Sequence, residues 1–133
     1  DDVASLTPES AQTNIFDMVD AIGGRDGRRA QRLLHKTIEQ GSAPAVFGMV
    51  VRQFRLLLQA REALDAGVPQ NQLGSAIGQT PWVAGKLAAQ ARGFTLCALE
   101  TISRRLRDID ENAKTGRAEL DAALQMLVAE LAG

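Results

Sequence analysis

The sequence predicts an all-α fold, a compact bundle of about six helices, on three observations. Apolar residues recur at intervals of three and four along most of the chain, the period of helices with one buried side. Glycines follow these periodic stretches, at Gly23, Gly24, Gly41, Gly67, Gly78, Gly93 and Gly116, where helix ends commonly turn left-handed. Cap-type residues then open the next stretch, and no strand-length alternation of β-branched residues, internal repeat or low-complexity tract stands out.

Residues 1–13 are polar, contain Pro8 and read as a linker or the tail of a preceding domain; residues 14–133 read as the helical domain. Asn14 can cap a short helix with Ile15, Phe16, Val19 and Ile22 on one side. Asp26 can cap a second, whose Ala30, Leu33, Leu34, Thr37 and Ile38 form an amphipathic stripe. Ser42 and Pro44 open a third, with proline in the first turn where its missing N–H is harmless. Its Phe47, Val50, Val51, Phe54, Leu57, Leu58 and Leu64 form one face. Val46, Met49, Leu56 and Ala60 extend the apolar surface around the cylinder, which predicts a central helix.

A short helix around residues 70–77 follows Pro69. Thr80 then caps a helix that starts with Pro81 and carries Ala84, Gly85, Ala88, Ala89 and Ala91, small residues that would admit a neighbouring backbone. Thr95 opens a long helix with Leu96, Leu99, Ile102, Leu106, Ile109 and Ala113 inward. The last helix places Leu120, Leu124, Leu127, Val128 and Leu131 on one face.

With 133 residues, the chain has the length of one domain and would bury about two-thirds of the surface its unfolded form exposes. Hydrophobic residues make up 45% and charged residues 23%, which argues against disorder. Fifteen Lys and Arg against 16 Asp and Glu leave a net charge of −1, so the global basic excess typical of dedicated nucleic-acid binders is missing. No apolar run is long enough to span a membrane and no signal-peptide pattern appears, and a single cysteine, which excludes an intrachain disulfide, points to a reducing cytoplasm. The one cysteine, Cys97, reads as a small core residue in an apolar stripe. The chain opens at Asp1 without a methionine, and a fragment of something longer is expected.

Four motifs invite a functional reading. Gly78 to Leu87 resembles a phosphate loop, but six residues separate Gly78 from Gly85 where four are required, and Leu87 follows Lys86 where Ser or Thr must bind magnesium. Asp108, Asp110, Asn112 and Glu119 copy part of a calcium-binding loop, yet Ala113 occupies the position that needs glycine. The two helices flanking Gly78 outline a helix-turn-helix, with Trp82, Lys86, Gln90 and Arg92 on the second; this keeps a DNA-binding domain as the alternative function. Arg104, Arg105, Arg107, Lys114 and Arg117 form a basic cluster interleaved with acids, which reads as a solvated face of intrahelical pairs or, more sharply, as a local patch for a partner's carboxylates or a nucleic-acid backbone. His35 is the only histidine and Cys97 its only thiol companion, so neither a catalytic constellation nor a metal site is expected, and no cofactor.

Three segments carry a family resemblance. They are Ile15-Phe16-Asp17-Met18-Val19-Asp20-Ala21-Ile22 followed by Arg28-Arg29-Ala30-Gln31-Arg32-Leu33-Leu34, then Val51-Arg52-Gln53-Phe54-Arg55-Leu56-Leu57-Leu58, then Asp108 to Arg117 before the last helix. In order and spacing they cover nearly the whole chain, which resembles the C-terminal part of the delta subunit of the bacterial DNA polymerase III clamp loader. Gly48 and Gly74 inside helices, and the acidic pair Asp110 and Glu111, depart from the pattern.

The resemblance implies a collar domain, one of a ring of helical domains that holds the loader subunits together while the sliding clamp is placed on primed DNA. The partners implied are gamma or tau and delta prime. The sliding clamp itself would be gripped by an N-terminal ATPase-like domain absent from this chain, and contact with DNA would be indirect. The implied module is not an enzyme, although its parent holoenzyme is a DNA-directed DNA polymerase. The residues singled out for partner contact are Arg52, Arg55 and Gln59 at helical spacing, and Trp82 with Lys86.

Overall fold

The computed structural model describes residues 8–133, and the side chains from Ser10 onward. Among the described residues seven α-helices follow one another: α1 (Pro8–Gly23), α2 (Gly27–Gln40), α3 (Ala43–Asp65), α4 (Leu73–Ile77), α5 (Pro81–Ala91), α6 (Leu96–Lys114) and α7 (Leu120–Ala132). A 3-10 turn over Gln70–Gln72 leads into α4, and no strand occurs among the described residues. The fold class is all-α, with one helix more than the approximate count from the sequence.

Local chemistry explains most helix starts. Asp26 accepts from the Arg29 amide at 3.1 Å and caps α2. Ser42 accepts from Ala45, Thr80 from Val83 and Thr95 from Ala98, each through its hydroxyl oxygen at a helix N-terminus. Helix α1 differs from expectation: it begins at Pro8, and Asn14 lies inside it instead of capping it. Proline is tolerated in a first turn, so Pro8 opens the helix that the sequence reading had treated as linker. Residues 1–7 of that expected linker lie outside the described residues.

The helix ends correct the glycine reading. Gly67, Gly78 and Gly116 do adopt positive φ, at 95°, 72° and 77°. After α1, however, the left-handed residue is Arg25, with φ 62°, while Gly23 is still helical.

The chain groups into two compact units. The first comprises residues 1–53 and 106–133. Within it α1 packs on α2 and α7, and α2 packs on α7. Its buried residues include Ile15, Met18, Val19, Leu34, Leu124 and Leu127, and Gln31 donates from Nε2 to the Gln125 carbonyl at 2.8 Å. The second comprises residues 54–105. Here α4 packs on α5, and the rings of Phe54 and Phe94 meet edge to face at 5.9 Å and 89°. Leu57, Leu73, Leu87 and Leu99 are buried in this unit. Arg61 of α3 donates to the Ala91 carbonyl at the end of α5 and pairs with Asp65.

Two packing expectations fail. Cys97 is exposed, because it is offset by two residues, more than half a turn, from the buried stripe Leu99, Ile102 and Leu106. Gly85 does not admit a neighbouring backbone, since a Cβ built there would meet nothing within 4 Å. Gly74 does the admitting: a Cβ there would stand 2.7 Å from the Gln79 carbonyl oxygen.

Candidate protein-interaction surface

A helix whose inner face is filled by alanine and leucine leaves the opposite positions to solvent, and α5 is built this way. Ala84, Leu87, Ala88 and Ala91 point inward. Thr80 fixes the first turn, so Trp82 projects from it with 72% of its surface exposed. Lys86 stands one turn further on, its Nζ 4.5 Å from the centre of the Trp82 ring, a cation–π distance. The sequence reading paired these two residues, and the structure brings them together. Beside them an open depression of about 740 Å³ is lined by Gln70, Asn71, Ser75, Gln79 and Thr80, with Gly74, Gly78, Pro81 and Gly85.

The other three candidates lie on α3. Arg52, Arg55 and Gln59 are all exposed, while Val50, Phe54, Leu56, Leu57 and Ala60 between and beside them are buried. Arg52 belongs to the first unit and Arg55 and Gln59 to the second. Met126 of α7 was not foreseen: it is 64% exposed between buried Leu124 and Leu127. Its offset from the Leu124, Leu127, Val128 stripe was the available signal.

Other motif readings resolve locally. Residues 108–114 continue α6 as regular helix, with Lys114 paired to Asp110 at 2.9 Å, so the segment is not a calcium loop. Among the described residues no three His, Cys, Asp or Glu side chains gather around a potential metal position. Gln90, a base-reading candidate on the second helix of the helix-turn-helix reading, is 4% exposed and cannot reach a groove. No helix among the described residues is long and apolar enough to cross a membrane.

The helices thus define an all-helical chain that exposes Trp82, Lys86, Arg52 and Arg55. Residues 12–131 match the family model described as DNA polymerase III delta subunit, C-terminal domain, and the chain belongs to that family. It is 27% identical over 132 residues to DNA polymerase III subunit delta of Bacillus subtilis, covering 98% of this chain and 38% of that protein. Its structure is similar to that of the Bacillus subtilis DNA clamp loader delta protein, with a TM-score of 0.86 and 25% identity, over 96% of this chain and 38% of the other. The chain therefore spans 38% of the length of the relatives it matches.

Proposed function

We propose that this chain is the collar module of a clamp-loader delta subunit. It is non-catalytic and works in the cytoplasm. It assembles with the gamma or tau subunits and with delta prime so that the loader can place the sliding clamp on primed DNA. The clamp itself is gripped by other parts of the subunit. The observation that carries this reading is the family match over residues 12–131, which runs through all seven helices.

The surface supports an assembly role. Large aromatic and arginine side chains are the groups that anchor protein interfaces, and Trp82, Lys86, Arg52, Arg55 and Gln59 are exposed without serving the core. Size-exclusion chromatography of the chain mixed with gamma or tau and delta prime tests the proposal. Comigration in a larger species is expected, and its weakening by Trp82→Ala or by Arg52→Ala with Arg55→Ala would place those residues at the contact. Separate elution of the unmodified chain at every mixing ratio would refute the assembly role.

A further inference from the structure

We infer that the outer face of α2 is a strip that holds the phosphate backbone of duplex nucleic acid. Between residues 28 and 36 every exposed side chain is basic: Arg28, Arg32, His35 and Lys36; exposed Glu39, three residues beyond Lys36, ends the strip. Arg25 precedes them, exposed, and Arg29 flanks them, half-buried. The inner positions Ala30, Leu34 and Thr37 are buried, so the helix cannot rotate this face away from solvent without unpacking. All of these residues lie within the first unit.

Arg28, Arg32 and Lys36 make no ion pair or hydrogen bond among the described residues. Their spacing is i, i+4, i+8, at which like charges repel along a helix. Elsewhere this chain uses the same spacing for attraction, in Arg61–Asp65 and Asp110–Lys114. Asp26, the nearest acid in sequence, spends its carboxylate on the Arg29 amide at the helix cap. The net charge of −1 conceals this segregation.

The dimensions fit a nucleic-acid strand. From Arg28 to Lys36 the helix rises about 12 Å, a length over which one strand of a duplex carries about three or four phosphates. An acidic protein surface fits less well. Protein interfaces are organised around a desolvated apolar or aromatic centre, and the exposed positions of α2 hold no apolar side chain. The one ring among them is the His35 imidazole, and no Phe, Tyr or Trp stands there for base stacking, so the strip reads charge and not sequence.

Fluorescence anisotropy of a labelled duplex of about 20 base pairs tests this, with the chain titrated at low salt and the affinity followed as salt rises. Binding should be indifferent to sequence, and log K should fall against log salt with a slope of about −2 to −3, as three phosphate contacts require. Arg28→Gln, Arg32→Gln and Lys36→Gln combined should lower the affinity at least about tenfold, and each alone should reduce the slope by about one. The single variants keep the test valid if the triple variant melts early. Arg104→Gln, Arg107→Gln and Arg117→Gln combined remove as much charge elsewhere and should change the affinity less than about twofold. No anisotropy change at low salt would overturn the inference, as would equal losses in the two triple variants. Displacement of the duplex by poly-glutamate at lower charge concentration than by unlabelled duplex would overturn it too, and would point to an acidic polypeptide instead. Comigration with loader subunits is a separate readout, so failure here leaves the assembly role standing.

Discussion

Gly48 and Gly74 both sit inside α-helices, where glycine costs roughly 1 kcal/mol relative to alanine. Their surroundings give opposite consequences. Gly48 is exposed and a Cβ there would meet nothing within 4 Å, so Gly48→Ala should raise the stability of the free chain by about 1 kcal/mol. At Gly74 the added carbon would collide with the Gln79 carbonyl, which also accepts no room to move because the Gln79 amide donates back to Gly74 at 2.8 Å. Gly74→Ala should therefore destabilise by about 1–3 kcal/mol, and thermal melting of the two variants checks both signs. The sequence shows both glycines as misfits in a helix but cannot separate them, because the collision at Gly74 depends on how the following turn folds back. Cys97 teaches a related lesson. Leu99, two positions on, is buried, yet the position of Cys97 is turned outward, and a thiol reagent should titrate it in native buffer without denaturant. Reaction only after unfolding would contradict the exposed position.

At the scale of elements, the caps and apolar stripes were legible because each is a relation among residues within one or two turns. Asp26, Thr80 and Thr95 act where their spacing predicted, and Asp26→Ala should cost about 1 kcal/mol in a denaturant melt. The start of α1 was not legible, since Pro8 is compatible with a linker as well as with a first turn. Arg61 was also invisible, because its partner lies 30 positions away. Its Nη1 donates at 3.0 Å to the Ala91 carbonyl at the end of α5, which also accepts from the Phe94 amide at 3.1 Å. The same side chain reaches Asp65 through Nε and Nη2. Arg61→Ala should cost about 1–2 kcal/mol because its charge-assisted bonds to the Ala91 carbonyl and to Asp65 are both lost, while the Phe94 amide still satisfies that carbonyl. Arg55→Ala, exposed one and a half turns away on α3, should stay within about 0.5 kcal/mol. The candidate surface shows the same division. Trp82 and Lys86 could be paired from their i, i+4 spacing and Met126 placed outside the α7 stripe by its offset, whereas the depression beside Trp82 depends on how the turn over residues 78–80 folds back.

For the whole molecule, the order of helices followed from the sequence but their grouping did not. Helices α3 and α6 each contribute residues to both compact units, and an apolar stripe does not say which neighbours cover which part of it. Phe54 makes the grouping testable. It is 1% exposed, begins the second unit and meets Phe94 edge to face within it. Phe54→Ala removes that contact and leaves a cavity, at a cost of about 3–5 kcal/mol. If the two units are separate cooperative regions, the loss should be felt first where the ring packs. Hydrogen exchange followed by mass spectrometry under native conditions should then show faster exchange for amides of α4, α5 and the start of α6, with those of α1, α2 and α7 closer to their original rates. Equal acceleration in both sets would mean that the chain opens as one cooperative whole, with the division into units describing packing alone.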